Sequence, residues 1–269
     1  MTKALIIHLD CGPAGLEWAK VCGLSQRVSP GIQVSAGNLT IDNPLSLSAY
    51  LYTTVPYWPD GSVFLSMPKN PSASRIVAVR LRSGSIILSP DDGTSTLCAA
   101  RIGIRDAYEI DPDQFGADSY AIIRCGAMLA AGLPLEKAGA ALSPEDVFQF
   151  TIPQAVTGNG VAEGQVFMLL KTFGNLTFTI SIEDFEKAGF RTGDALRVTF
   201  TRGGKIEYQK EMTFQPSFGY VPEGEPVVFN GSSGYLDIGL NKKSFIDEAM
   251  PQILKAENPL DFYVRIEKL

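Results

Sequence analysis

The stretch Lys171-Thr172-Phe173-Gly174-Asn175-Leu176-Thr177-Phe178-Thr179-Ile180 decides the fold. The apolar run Val166-Phe167-Met168-Leu169-Leu170 leads into it, and the alternating segment Leu176 to Ile182 leads out. Gly174-Asn175 between two strand-like runs is a turn signal, because both residue types tolerate positive φ. The Asn175 amide carries two donors and an acceptor, enough to hold either a backbone turn or the edge of a planar ligand. An isolated Gly-Asn pair is more often structural, so the flanking sequence has to weigh the two readings.

C-terminal to this hairpin the chain is almost entirely strand and turn. Ala195 to Thr201 and Ile206 to Phe214 flank Arg202-Gly203-Gly204-Lys205, and further strands are expected over Val227–Asn230, Tyr235–Leu240 and Phe262–Ile266, with one helix near Ser244–Leu254. Short strands with Gly-rich turns predict a small antiparallel barrel or sandwich. N-terminal to the hairpin, strands alternate with helices. Leu5-Ile6-Ile7-His8-Leu9 is a continuous apolar strand, followed by Asp10-Cys11-Gly12-Pro13-Ala14-Gly15 and a helix from Leu16. A second strand over 34–41, a helix over 45–55, a third strand over 62–67 and a hairpin around Ser83-Gly84 continue the pattern, and a helix runs from Ser119 to Gly132-Leu133-Pro134. This predicts an α/β domain over residues 1–157 with a mostly parallel or mixed central sheet, a junction at Gly158-Asn159-Gly160, and a smaller β-rich domain over 163–269.

Composition bounds the function. With 269 residues, 45% apolar and 19% charged, the chain is an ordinary globular protein. A net charge of −6 with scattered Lys and Arg argues against a nucleic acid or an anionic membrane as partner. The first ten residues lack a signal-peptide pattern and no run approaches a membrane span, so a cytoplasmic location is expected. Cys11, Cys22, Cys98 and Cys125 show no CxxC spacing and have one histidine for company, so no metal is expected. Asp10, at the end of the first strand and before a glycine turn, stands where open α/β sheets place ligands. From this segment alone a turn or helix-capping role for it is slightly favoured. His8 reads as a hydrogen-bonded core histidine, Asp91-Asp92 as a solvated turn, and Tyr52, Tyr57 and Trp58 as core or subunit contacts.

Taken together and in order, several short pieces resemble the family of S-adenosylmethionine hydroxide adenosyltransferases, fluorinases and chlorinases. Leu9-Asp10-Cys11-Gly12 is similar to the family's opening aspartate, Trp58-Pro59-Asp60-Gly61-Ser62-Val63 to its first turn, and Ser89-Pro90-Asp91-Asp92-Gly93 to its "PDNG". Leu129 to Leu135 with Gly139 resembles a helix end of fluorinase-like members. Phe173-Gly174-Asn175, and Ser232-Ser233-Gly234-Tyr235-Leu236-Asp237-Ile238 with Asn241, resemble two second-domain motifs.

The resemblance implies a homotrimer with a small-molecule pocket shared between subunits. S-adenosylmethionine would be the co-substrate, attacked at C5′ by water or halide with methionine leaving. It implies Asn175 and Phe173 at the adenine, Asp10 at the ribose hydroxyls, and Ser232 and Ser233 among the binding groups. Arg75, Asp91 and Ser119 are the residues it offers for catalysis. Departures are as informative. The loop aspartate of hydroxide-using members falls at Met67, and their histidine is missing from Phe115-Gly116-Ala117-Asp118-Ser119. Of that water-activating set Arg75 alone remains. Lys171 stands where the family has an acid. Two further readings therefore stay open: a repurposed scaffold doing acid/base bond formation on another substrate, for example a Pictet–Spengler-type cyclisation drawing on Arg75, Asp91, Asp92, Asp10 and Glu17, and a non-catalytic binding protein.

Overall fold

A computed structural model describes residues 4–9, 16–38, 44–67 and 74–269. The chain divides into two compact units, Met1–Phe150 and Thr151–Leu269.

In the first unit, β1 (Ala4–Leu9), β2 (Gln33–Asn38), β3 (Val63–Met67) and β5 (Ile86–Pro90) are parallel neighbours. Beyond β5 the sheet turns antiparallel through β4 (Ile76–Leu81), β6 (Ile104–Ile110) and β7 (Gly139–Leu142), giving the order β2-β1-β3-β5-β4-β6-β7. The sheet is mixed because β4 and β5 are joined by a hairpin, which can only make antiparallel neighbours. Leu81 N–H to Ser85 O (2.8 Å) and Gly84 N–H to Leu81 O (2.8 Å) close it, with Gly84 at φ 90°.

Two apolar layers cover the sheet. Leu5, Ile7, Val63, Leu65 and Leu88 pack with helices α1 (Leu16–Val28) and α4 (Ala121–Ala130). The opposite face, Ala4, Ile6, Phe64, Val77, Val79 and Ile87, packs with α2 (Pro44–Thr54) and α3 (Thr96–Ile102). Strands buried on both faces explain the unbroken apolar runs of the sequence. The short helix α3 carries no strong period of its own and is absent from the sequence expectation. The helix expected from Ser119 begins at Ala121, and Ser119 is exposed.

In the second unit the ring β10-β14-β13-β12-β11-β15-β9 closes by a β9–β10 pairing. Its strands are β9 (Val161–Leu170), β10 (Asn175–Ser181), β11 (Ala195–Arg202), β12 (Lys205–Gln215), β13 (Pro226–Asn230), β14 (Tyr235–Leu240) and β15 (Phe262–Lys268). β8 (Val156–Gly158) hangs on β9. Gly158-Asn159-Gly160, expected as the domain junction, is instead the hairpin turn between β8 and β9. The barrel also departs from pure antiparallel pairing, since β12 and β13 run parallel.

Period-2 alternation fills the interior. Leu176, Phe178 and Ile180 of β10 meet Leu236, Ile238 and Leu240 of β14, with Val198, Phe200, Phe214 and Phe262 in the same core. Phe185, on the short helix α5 (Ile182–Lys187), stacks on Phe190 at 3.8 Å. The helix expected over 244–254 is α6 (Phe245–Ala249), broken by Pro251.

Candidate functional site

The deciding hairpin sits over a concavity. Leu170 O accepts from Phe173 N–H (3.0 Å) and Gly174 N–H (2.8 Å), and Gly174 takes the left-handed φ of 70°. Asn175 itself is the first residue of β10, so the turn is Lys171–Gly174 and the asparagine is a strand residue. A side chain at residue 174 would strike Ser244, whose hydroxyl caps α6 by accepting from Asp247 N–H (3.1 Å). Gly174 O in turn accepts from Ile246 N–H (3.0 Å). Glycine is needed here because hairpin and helix start are in backbone contact.

Phe173, Gly174, Asn175, Phe218, Leu240 and Lys242 are among the residues lining a concavity of about 400 Å³. Asn175 is buried, whereas Phe173 is 66% exposed and Phe218 is 43% exposed. Phe218 meets buried Phe229 edge-on at 5.7 Å. The Asn175 amide oxygen lies against Gly239, where any Cβ would collide with it. The concavity thus offers one amide and two aromatic surfaces, Phe173 from the hairpin and Phe218 from the 218–220 turn, the means to hold a planar polar ring.

Further along the same outer row of the barrel, Thr177 Oγ1 donates to Asp237 Oδ1 (2.6 Å). Asp237 is 4% exposed, and burial pushes its carboxyl up to about 7 against the opposing effect of the Thr177 bond. Ser233 is buried with no hydrogen-bond partner for its hydroxyl among the described residues, whereas Ser232 is exposed. Asp237 was not singled out from the sequence as a candidate. Its signal was a lone acid at an otherwise apolar strand, Tyr235-Leu236-Asp237-Ile238.

In the first unit, the segment β1-α1-β2 adds a strand on one side of β1 and β2-α2-β3 returns to the other. The carboxyl ends of β1 and β3 are therefore the switch point at which such sheets bind ligands. His8 Nδ1 and Ser66 Oγ pair there across the strands at 3.2 Å, and the His8 ring meets Tyr50 edge-on at 4.9 Å. Burial lowers the His8 pKa to about 4, so the ring is a neutral core group as expected. Asp10 and the loop carrying Asn70 and Ser72 lie outside the described residues.

The Asp91-Asp92 turn is buried, which corrects its reading as solvated. Arg75 donates to Asp91 Oδ2 through Nε (2.9 Å) and also through Nη2, and Nη2 reaches Asp146 O (2.9 Å). Asp91 Oδ1 accepts from Phe148 N–H (2.9 Å). The pair ties the entry to β4, the exit from β5 and the 146–148 segment together. Asp92 Oδ1 accepts from Thr94 N–H (3.2 Å) and Oγ1 (2.7 Å), its Oδ2 has no partner among the described residues, and burial raises its pKa. Turn composition is local, whereas the partners of Asp91 lie 16 and 57 residues away.

Ser119 does not join this cluster by any described hydrogen bond. Tyr57, expected as core or contact, is 87% exposed, while Tyr52 lies under Arg101 at 4.8 Å and Trp58 packs on the α2-side core. Glu17 accepts from Lys20 (2.6 Å) and Tyr120 Oη (2.8 Å), which lowers its pKa. Burial pushes the Cys98 and Cys125 thiols up to about 12, so neither is a nucleophile at neutral pH. Among the described residues, no group of three or more His, Cys, Asp or Glu could hold a metal ion, and no helix is long and apolar enough to cross a membrane.

The family model of the SAM hydroxide adenosyltransferase N-terminal domain matches residues 14–139, and that of its C-terminal domain matches residues 167–250. The chain belongs to the SAM hydroxide adenosyltransferase family. Its second matched segment begins at the hairpin that forms the concavity. A fluorinase of Actinopolyspora mzabensis is 29% identical over 242 residues, covering 77% of this chain and 78% of that protein. An (R)-S-adenosyl-L-methionine hydrolase of Thermus thermophilus is 28% identical over 242 residues, covering 82% and 85%. In fold, the chain is similar to an uncharacterized conserved protein of Thermotoga maritima, with a TM-score of 0.78 over 97% of this chain and 99% of that one at 21% identity. The relatives thus include both a fluorinase and an S-adenosylmethionine hydrolase.

Proposed function

We propose that the chain binds S-adenosylmethionine and catalyses substitution at C5′ of its adenosyl group. Water or halide forms the new bond to C5′, the C5′–S bond breaks, and methionine leaves with the electron pair. With water as nucleophile, its proton passes to solvent. The observation that carries this reading is the concavity at Phe173-Gly174-Asn175. The Asn175 amide donates to and accepts from the edge of the purine, and Phe173 and Phe218 flank the ring. Asp10 takes the ribose hydroxyls and Ser232 and Ser233 contribute on the methionine side. The chemistry asks mainly for alignment and desolvation of the nucleophile, so no strong base is required.

Arg75 and Asp91 serve as a pair. With Asp91 occupied by Arg75 and Phe148 N–H, their role is to fix the strand-end loop beside the reaction, with Ser119 as a hydroxyl donor. The chain forms a homotrimer in which neighbouring copies complete each site. Light scattering tests this directly, and a monomer mass would refute it.

Three observations favour a second reading. Met67 stands at the family's aspartate position, no histidine lies near residue 119, and the buried acids Asp92 and Asp237 remain. These features fit a repurposed pocket doing acid/base bond formation on a different substrate. Incubation with S-adenosylmethionine, with and without halide, separates the two. Adenosine or halo-adenosine appearing with methionine supports the first. Absence of turnover together with absence of calorimetric binding overturns it and leaves the second, to be pursued through whatever molecule co-purifies.

A further inference from the structure

The concavity at the hairpin carries charge as well as rings. Lys171, Lys242 and Lys243 line it, against the single acid Asp247. The two other concavities described on the barrel are balanced: one has Arg202 and Asp261, the other Arg265 and Glu163. A chain of net charge −6 thus places three ammonium groups around one hollow. Lys242 pairs with Glu223 (3.2 Å) and Lys243 with Glu248 (3.5 Å), but both partners lie outside the lining and all four side chains are about half exposed or more. Exposed pairs of this kind are weak, so a ligand anion exchanges for the carboxylates at little cost. Lys242 also holds a left-handed φ of 60°, a conformation that lysine rarely adopts, at the rim of the same hollow.

We infer that this hollow takes an anionic nucleoside, one carrying phosphate or carboxylate oxygens, with Asn175, Phe173 and Phe218 on the base and the lysine collar on the anion. The inference rests on the base-binding reading above and concerns an anionic ligand of that hollow other than S-adenosylmethionine, whose sulfonium and ammonium outweigh its single carboxylate. Lysine suits this role as a flexible point charge with three donors, able to reach either kind of anion without a fixed fork geometry.

Calorimetry on the full chain tests it with adenosine, AMP, adenosine-5′-carboxylic acid and inorganic phosphate, at low and high salt. AMP is expected to bind about tenfold more tightly than adenosine at low salt, with the gap narrowing as salt rises. In Lys242→Ala/Lys243→Ala that gap shrinks while adenosine affinity is unchanged. Adenosine-5′-carboxylic acid distinguishes the sources: an affinity equal to that of AMP assigns the collar to any anion, and one equal to that of adenosine assigns it to phosphate. Asn175→Ala weakens adenosine and AMP by a similar factor. Adenosine and AMP binding equally to the wild type overturns the inference and leaves the base-binding reading intact. Phosphate binding without adenosine binding overturns the base-binding reading and keeps the anionic collar. Thermal melts of each variant confirm that any loss is not a folding defect.

Discussion

Asp237→Asn isolates a stability effect that the wild-type protein conceals. Asp237 is buried on β14, takes one bond from Thr177, and has its pKa raised from 3.8 to about 7 by burial. The strands beside it, β10 (Asn175–Ser181) and β13 (Pro226–Asn230), contain no titratable residue, and the acids of α6, Asp247 and Glu248, are exposed. In the unfolded chain the carboxyl ionises near 3.8. Between that value and about 7 the folded state therefore holds a proton that the unfolded state has lost. Stability from this group is complete below the lower value, falls as pH rises across the window, and stays reduced above it. At 1.36 kcal/mol per pKa unit the penalty at alkaline pH approaches about 4 kcal/mol, with relaxation of the site reducing it to about 2–4 kcal/mol.

His8 opposes this in wild type. Its pKa is lowered from 6.5 to about 4, so it favours the folded state increasingly as pH rises between those values. The net wild-type slope is thus flattened, and the difference between variant and wild type is the informative quantity. Urea denaturation of both proteins at several pH values from about 5 to about 8.5 measures it. Asparagine keeps the acceptor for Thr177 but cannot ionise. Any constant cost of its amide shifts the whole curve, whereas loss of the carboxylate penalty makes the variant progressively more stable than wild type toward high pH. A variant-minus-wild-type difference that stays level from pH 5 to 8.5 refutes the assignment of a buried, neutral Asp237.

Arg75→Ala leaves Asp91 with only the Phe148 N–H bond, and should destabilise the first unit by about 1–3 kcal/mol; Arg75→Lys, lacking the planar fork, recovers part of this in a thermal melt, and full stability of Arg75→Ala would show the pair to be dispensable. Gly239→Ala places a methyl against the Asn175 amide and 3.3 Å from Phe229; overpacking of about 1–3 kcal/mol and weakened adenosine binding are expected together, and unchanged binding would mean that Asn175 does not hold the base.

The order of the two units, the strand–helix alternation of the first and the strand-rich second were legible in the chain, because polarity periods and turn residues are local properties. Leu176, Phe178 and Ile180 read correctly as one face, with Asn175, Thr177 and Thr179 on the other. Asn175 was placed in the turn because Gly-Asn favours positive φ, but the contact with Ser244 needs glycine alone in that conformation, and the asparagine is left to pair in β10. Helix α3 and the parallel β12–β13 pair escaped the reading because neither has a distinctive period.

Period two tells which face of a strand a residue occupies. It does not tell whether that face is wet. That Asn175, Thr177 and Asp237 are buried on the outside of the barrel, and that Thr177 meets an acid 60 residues away, follow from the long-range register that closes the ring. The same holds for Asp91, whose turn composition predicts solvent and whose partners, Arg75 and Phe148 N–H, lie 16 and 57 residues away. Sequence alone determined which groups exist and on which strand face they lie. Tertiary structure decided which of them lost water, and burial rather than residue type moved Asp237 toward neutrality.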